Sequence, residues 1–288
     1  MRTAPSPSVL QPLVFAGAGW QAAEPAAPSS PAALTLLTWN VWFGALKSRV
    51  RCDALLAELS RRSPDVIVLQ EVTRELLAAL LDAPWARAEY QVSDVDGSTF
   101  ERYGVVLLSR IPMRRLVVLD LPTEMGRCLL AAELSCGLTV ATSHLESTSF
   151  RPSTRVMQLG IIQPYLARSS PDVVFAGDMN FTPDAAAENA ALDPTFVDVW
   201  PVLRGDDPGY TVDTSINTMR YQVDARHSQK RIDRVFLRSR AWSARAVELV
   251  GSTPLDPEGT FISDHFGIQV ELAHHGAGAV RPADGSRG

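Results

Sequence analysis

Cysteine, surplus basic charge and long apolar runs are all scarce in this chain of 288 residues, and each shortage excludes something. Three cysteines, Cys52, Cys128 and Cys136, are an odd number with no C-x-x-C pair. They argue against a disulfide frame and against a cysteine-bound zinc. They are expected as reduced core residues of a cytoplasmic protein. The formal net charge is −5, so the chain lacks the basic excess usual in nucleic-acid-binding domains. A local basic groove stays compatible with that balance, and a metal-dependent site would bring positive charge of its own. No membrane partner is expected, because no apolar run reaches the length of a span. The charged n-region and continuous apolar h-region of a secretory signal are missing as well. Nothing in the residues points to a protein partner.

What remains is ordinary for a soluble globular protein: 46% apolar residues, 20% charged, and a chain long enough to bury a core without staples. Residues 1–33 are rich in Pro, Ala and Ser, with one Arg and no Lys. They read as a flexible arm that docks through Trp20. From Leu34 the pattern turns regular. Residues 34–39 form a buried strand ending at Asn40, and Cys52, Leu55, Leu56 and Leu59 recur at helical spacing up to Ser63-Pro64. The fully apolar run 66–69 is a second strand, covered on both faces. Strands follow at 103–108, 115–121, 129–134 and 138–143. A helix over 152–167 then leads to strands at 173–176, 231–237 and 267–272. The order β-α-β ending in Gln70-Glu71 returns as β-α-β ending in Gly177-Asp178. Two such halves make a sandwich of two sheets with helices outside. Residues 34–273 are taken as one domain, and 274–288 as a disordered Gly/Ala-rich tail.

Four short blocks carry the chemistry: Thr38-Trp39-Asn40, Leu69-Gln70-Glu71, Gly177-Asp178-Met179-Asn180 and Ser263-Asp264-His265. Each follows or adjoins a strand-like run, where polar groups gather at the end of a buried sheet. Glu71 is either a cap for the helical segment from Arg74 or an oxygen ligand. Mg²⁺ takes few carboxylates and keeps several waters, so one Glu and one Asp suffice. Asp178 and Asn180 either close a turn through nearby backbone or handle a proton. His265 beside Asp264 is either a satisfied surface pair or a site imidazole, and His144 stands at the end of another strand. Carboxylates for a metal and for a proton, two amides and imidazoles together suit the hydrolysis of a phosphate ester. His227, His274 and His275 have no comparable setting.

With TWN (38–40), LQEV (69–72), SHLES (143–147), GDMN (177–180), RIDR (231–234) and SDH (263–265) in this order, the chain resembles the endonuclease/exonuclease/phosphatase superfamily. More narrowly it resembles the metal-dependent 5′-tyrosyl-DNA phosphodiesterases. That match rests on 142–147, on Phe196-Val197-Asp198-Val199-Trp200, on Tyr210-Thr211 with Asp213-Thr214, and on 231–236. The resemblance implies a four-layer α/β sandwich, two mixed sheets face to face with helices outside. It also implies hydrolysis of the 5′-phosphotyrosyl bond of protein-blocked DNA ends by in-line water attack. Glu71 and Asp264 would then hold Mg²⁺, with Mn²⁺ as a substitute. Asp178, helped by Asn180, would activate the water, and Asn40 would bond the phosphate network. His265 and His144 would donate to phosphate oxygens, and Asp233 would fix the His265 ring. Ser147, Arg231 and Tyr210 would contact substrate. Histidines held beside carboxylates are expected to have raised pKa values and stay cationic. A phenolate, from a phenol of pKa about 10, leaves more easily than a sugar alkoxide, so one metal ion suffices.

The resemblance departs at two positions. Thr182 stands where eukaryotic members carry an arginine after the GDxN block, and Val212 where a tryptophan follows the Tyr-Thr pair. Residues 1–33 have no counterpart of the eukaryotic ubiquitin-binding arm. The alternatives are another hydrolase of the same fold (an abasic-site endonuclease, an exonuclease, or a phosphatase of inositol phosphates or sphingolipids) and a catalytically silent module that binds DNA ends. Unused buried carboxylates and imidazoles would cost stability, which argues against the silent module.

Overall fold

An unbroken apolar run such as Val66-Ile67-Val68-Leu69 has no polar face to turn to water, so it forms a strand only where both faces are covered. The computed structural model, which describes residues 6–275, supplies both covers. One sheet has eight strands, in the order β16 (Trp242–Val250), β17 (Gly267–His274), β4 (Ala33–Asn40), β5 (Val66–Thr73), β7 (Tyr103–Ser109), β6 (Gln91–Val92), β2 (Leu13–Ala16) and β3 (Gly19–Ala22). The other has seven: β1 (Ser8–Leu10), β8 (Met113–Asp120), β9 (Cys128–Leu134), β10 (Thr139–His144), β11 (Val173–Asp178), β15 (Asp233–Arg238) and β12 (Val197–Asp198). β13 (Val212–Asp213) and β14 (Gln229–Lys230) pair apart from both.

The inner faces meet in one apolar layer that includes Leu36, Val68, Leu107, Leu130, Val140 and Val174. On the outer face of the eight-stranded sheet, α1 (Ser48–Arg62), α2 (Arg74–Asp82) and α3 (Pro84–Glu89) bury Leu55, Leu59, Leu77 and Leu80 against Leu37 and Leu69. On the other outer face, α4 (Pro152–Ser169) buries Leu159, Ile162 and Leu166 against Phe175 and Phe236. The result is the expected four-layer α/β sandwich. Short helices α5 (Ala186–Ala190), α6 (Val199–Arg204) and α7 (Met219–Asp224) lie in the connections. Both β-α-β units are present, with β4 parallel to β5 across α1 and β10 parallel to β11 across α4. α1 stops where Ser63 turns left-handed (φ 53°) ahead of Pro64.

Three observations differ from the sequence reading. Residues 8–22, expected as a flexible arm, form three short strands: β1 pairs with β8, and the β2–β3 hairpin pairs with β6. Runs of three and four residues are too short to register as alternation, and their stability comes from a sheet edge already in place. Trp20 does pack on the outer core of the eight-stranded sheet, edge-on to Phe15. The nine-residue strand β16 also escaped notice, because it is an edge strand whose alternation is broken by a bulge between Ala244 and Ala246. Finally, His274 closes β17 instead of opening a tail, and residues 276–288 lie outside the described residues. The three cysteines are free and half-buried, with burial pushing the Cys128 thiol up to about 12. Among the described residues no helix is long and apolar enough to cross a membrane.

One glycine decides how closely β10 and β11 approach. Gly177 has φ +149°, and a Cβ there would meet the Ser143 carbonyl oxygen at 2.2 Å. Gly177→Ala is expected to destabilise the fold by about 3 kcal/mol, through forced backbone movement and an unfavourable φ. A urea-denaturation midpoint unchanged from the parent chain would contradict this close packing.

Candidate active site

The register of three neighbouring strands assembles half of the site. β10 and β11 run parallel with His144 opposite Asp178, and β15 runs antiparallel to β11 with Asp178 opposite Asp233. Three ionisable side chains therefore line up across one end of the seven-stranded sheet. The eight-stranded sheet brings Asn40 from the end of β4 and Glu71 from β5, next to the Ser263-Asp264-His265 turn that enters β17.

Glu71 reaches this end through a bulge. The β5–β7 register shifts between Leu69 and Val72, and Glu71 sits in the left-handed region at φ 62°. A non-glycine residue in that region costs about 1 kcal/mol or more and persists only where its surroundings over-determine it. Here the extra residue separates two neighbours with opposite tasks. Gln70 points between the sheets and donates to Thr38 Oγ1 and Thr142 Oγ1, both at 3.1 Å. Glu71 is left at the mouth, where its Oε2 accepts from the Phe43 backbone (3.0 Å) and its Oε1 from Asn40 Nδ2 (3.1 Å).

The Asn40 amide also donates to Asp178 Oδ2 at 2.9 Å, while its own oxygen accepts from the Trp42 backbone at 3.0 Å. That set of partners assigns the orientation of the amide. Asp178 is buried, and its Oδ1 accepts from the backbone of Asn180, which is itself left-handed at φ 54°. Asn180 Nδ2 donates to the Leu145 carbonyl at 3.0 Å and reaches Ser147 Oγ at 3.4 Å. Burial, and then the Asp233 charge, raise Asp178 to about 7.

The two histidines of the site are held in opposite ways. His265 Nδ1 donates to Asp233 Oδ2 at 2.8 Å. Burial alone would lower this imidazole, but the charges of Asp233 and Asp264 outweigh it and push it up to about 10. His265 is thus a cation at neutral pH. His144 departs from the sequence expectation: burial, and then the charges of Arg127 and His265, hold it well below the usual histidine range. Arg127 Nη1 donates to His144 Nδ1 at 3.1 Å, which leaves the proton on Nε2, 3.3 Å from Asp178 Oδ2. His144 is a neutral donor.

Of the residues singled out from sequence, Asn40, Glu71, His144, Ser147, Asp178, Asn180, Asp233, Asp264 and His265 come together. Arg231 does not join them: it is buried, and Nη1 donates to Asp198 Oδ2 (2.8 Å), an oxygen that Arg234 also binds. Sequence placed Arg231 in a motif but could not say which way its side chain turns. Tyr210 is half-buried ahead of β13 and does not line the cleft, which is reached instead by Val212. Three contributors were missed. Arg127 donates to both His144 and Ser147 Oγ (2.8 Å), although it sits in an unremarked turn before β9. Arg220, on α7, brings Nη1 to 3.5 Å from Asp264 Oδ2 and 3.4 Å from His265 Nε2. Thr211 is buried, and its hydroxyl accepts from the backbones of Ile232 and Asp233. Thr211 lies in the Tyr210-Thr211 block already noted in the sequence, without a role assigned to it there, whereas Arg127 and Arg220 have no local signal.

The donor set fits a hard divalent cation. Burial, and then the Asp264 charge, raise the pKa of Glu71, and the two carboxylates line one small pocket with Arg220 and His265. Asp264 Oδ1 is buried with no hydrogen-bond partner. A cation between two such carboxylates would satisfy both, and oxygen donors suit Mg²⁺ or Mn²⁺. Asp178, Asp233 and His265 form a second cluster, with ligand atoms all within 4.8 Å of one another. There the His265–Asp233 hydrogen bond already neutralises one carboxylate, so Glu71 and Asp264 are the better pair for an ion. A groove of about 590 Å³ leads away from the cluster, lined by Arg220, Arg226 and Lys230 and by the buried Arg155–Glu188 pair.

The sequence profile of the Endonuclease/Exonuclease/phosphatase family matches residues 37–265. The chain is 31% identical over 254 residues to Tyrosyl-DNA phosphodiesterase 2 of Homo sapiens, covering 83% of this chain and 67% of that protein. It is 30% identical over 250 residues to the Gallus gallus protein of the same name, of which it spans 65%. The solved structure of Danio rerio TDP2 complexed with single strand DNA product superposes with a TM-score of 0.74 at 28% identity, over 84% of this chain and 99% of that one. The human Nocturnin catalytic domain shares the fold at 17% identity and a TM-score of 0.64.

The contrast between the histidines is open to test by ¹⁵N NMR. At pH 7 His265 is expected doubly protonated and His144 neutral with its proton on Nε2. The His265 proton is bound more tightly in the folded chain, so its stabilising contribution should be full below the ordinary histidine range and lost as pH rises through about 10. A His265 that titrates near 6.5 would contradict the Asp233 pairing.

Proposed function

The chain belongs to the endonuclease/exonuclease/phosphatase family, and from that premise we propose that it is a metal-dependent phosphodiesterase acting on DNA 5′ ends, with the 5′-phosphotyrosyl bond as its substrate. The observation that carries the proposal is the Asn40 amide bonded at once to Glu71 and Asp178, with Asp233–His265 and His144 ranged beside it. The relatives named Tyrosyl-DNA phosphodiesterase 2, and the DNA product in one of their structures, support the choice of substrate. Arg220, Arg226 and Lys230 along the groove support a DNA strand on an otherwise acidic protein.

In this reading each residue has one task. Asp178, buried and pushed towards neutral pH, accepts the proton of the attacking water, and Asn180 keeps its carboxylate turned inwards. Cationic His265 faces the charge that grows on the phosphate oxygens, and Asp233 fixes its ring. Neutral His144 donates from Nε2, and Arg127 holds it in that tautomer. Ser147, held by the same guanidinium, offers a further hydroxyl to the phosphate. Glu71 and Asp264 would hold Mg²⁺ or Mn²⁺, which when bound supplies Lewis-acid neutralisation of a phosphate oxygen. At the two departures from the eukaryotic pattern, Val212 and Thr182 line the groove, and the Thr182 hydroxyl is engaged by Asp184. Neither supplies a cation or an aromatic face.

A panel of oligonucleotides with 5′-tyrosyl, abasic and plain 5′-phosphate ends tests the substrate. The tyrosyl substrate should be cleaved fastest. EDTA should abolish turnover, and added Mg²⁺ or Mn²⁺ should restore it. Equal cleavage of all three substrates, or none of the tyrosyl one, would refute the assignment.

Replacing the base gives a second test. Asp178→Asn should lower kcat by about 10³-fold with little change in DNA affinity. In the parent chain kcat/KM should rise with pH as Asp178 sheds its proton near 7, and fall again as His265 sheds its own near 10. An Asp178→Asn variant that keeps near-parental activity would show that another group takes the proton.

A further inference from the structure

Glu146 is the carboxylate of the SHLES block and is fully buried, yet it does not line the groove. Both of its oxygens are engaged by the turn between β8 and β9. Oε2 accepts from Thr123 Oγ1 at 2.5 Å, and Oε1 from the Glu124 backbone at 3.0 Å. The Thr123 oxygen accepts in turn from the backbones of Met125 (2.8 Å) and Arg127 (3.2 Å). Its proton goes to Glu146 and its lone pairs to the turn, so the hydroxyl has one orientation. Gln158 of α4 closes the other side, donating to the Pro122 carbonyl and accepting from the Glu146 backbone, both at 2.9 Å.

Arg127 is the last residue of this turn, and its guanidinium returns to the strand end from which Glu146 comes. Nη1 donates to His144 Nδ1 at 3.1 Å, and Nη2 to Ser147 Oγ at 2.8 Å with Met125 Sδ at 3.6 Å. No carboxylate is among these partners, and the buried Nε has none at all. A buried guanidinium without a carboxylate of its own is drawn to any anion in reach. Asp178 and Glu71 lie just beyond, 3.3 Å and 4.0 Å from the His144 ring nitrogens. What keeps Arg127 on His144 is therefore the placing of its backbone. His144, Leu145, Glu146, Thr123 and Arg127 form one closed circuit of covalent and hydrogen bonds.

We propose that Glu146 is a positioning residue: by way of Thr123 it holds Arg127 against His144 Nδ1, and so fixes the proton of His144 on the nitrogen that faces Asp178. The proposal rests on the reading of His144 as a neutral donor. Glu146 touches no substrate, and its influence arrives only through the turn. Glutamine at this position has one oxygen for two donors, so one of the two bonds to the turn is lost. Valine at 123 removes the hydroxyl that links Glu146 to the Arg127 backbone and keeps the side-chain shape.

Imidazole ¹⁵N spectra of the full chain at pH 7, without DNA, test this circuit. Glu146→Gln and Thr123→Val should each move the His144 tautomer ratio about tenfold towards Nδ1–H, as expected when one charge-assisted hydrogen bond is lost. Thr123→Ser, which restores the hydroxyl, should keep the parental ratio. His265, held by Asp233, should be unchanged in all three. An unchanged His144 ratio in Thr123→Val would overturn the proposal, as would equal changes at His144 and His265, the mark of a general loosening. If Glu146→Gln does not fold, Thr123→Val decides alone. In turnover of the tyrosyl oligonucleotide, Thr123→Val should lower kcat about tenfold and leave KM within about twofold. A raised KM with kcat intact would also overturn it. A parent chain that cleaves no such substrate sinks the proposed function, and the spectra still decide the role of Glu146.

Discussion

The Asn40 amide nitrogen has two protons to give, and it gives one to Glu71 and the other to Asp178. The first acceptor belongs to the same sheet as Asn40, the second to the sheet that faces it. That pair of bonds, with Gln70 reaching Thr142 just beneath, fixes the separation and lateral offset of the two sheets at the end where the polar groups gather. Buried carboxylates in low dielectric repel strongly, so both stay in place only while shared donors and a nearby cation compensate them. Trp39 adds a third tie, with its indole donating to the His265 carbonyl at 2.9 Å. The site is a joint between two sheets, which no single element could build.

How far this could be read from the residues depends on the range of each signal. Local pattern sufficed for the apolar strands β4, β5 and β11, for α1 with its Ser63-Pro64 stop, and for α4 with Pro152 in its first turn. It also sufficed to set Asn40, Glu71, Asp178 and His265 at strand ends. Side-chain direction was beyond it. Arg231 carries the same motif whether it faces a substrate or, as here, Asp198. Arg127 and Arg220 act at positions more than fifteen residues from their partners in sequence, so no spacing announces them. The bulge that turns Glu71 outwards while Gln70 turns inwards depends on the β7 partner, and is invisible in β5 alone.

Charge at the site is distributed by contact rather than by residue type. Two histidines, both fully enclosed, end with opposite protonation: at His265 the charges of Asp233 and Asp264 outweigh burial, whereas at His144 burial, and then the charges of Arg127 and His265, prevail. The same logic separates the carboxylates. Asp178 is pushed towards neutral pH mainly by burial, which is what a proton acceptor working near pH 7 requires. Glu71 is raised by burial and by Asp264, a repulsion that an ion between them would relieve. One amide therefore joins two carboxylates whose charges are balanced in different ways.

The short strands near the start of the chain carry a consequence for solution behaviour. β1 covers the free rim of β8, and the β2–β3 hairpin covers that of β6. An uncovered rim offers a row of unpaired amide and carbonyl groups, a template on which another chain can add a strand. Trimming the first two dozen residues would leave every side chain of the candidate site untouched yet bare a rim on each half of the sandwich. Such a shortened protein would favour filament-like association through backbone pairing, a hazard that the covered rims of the full chain avoid.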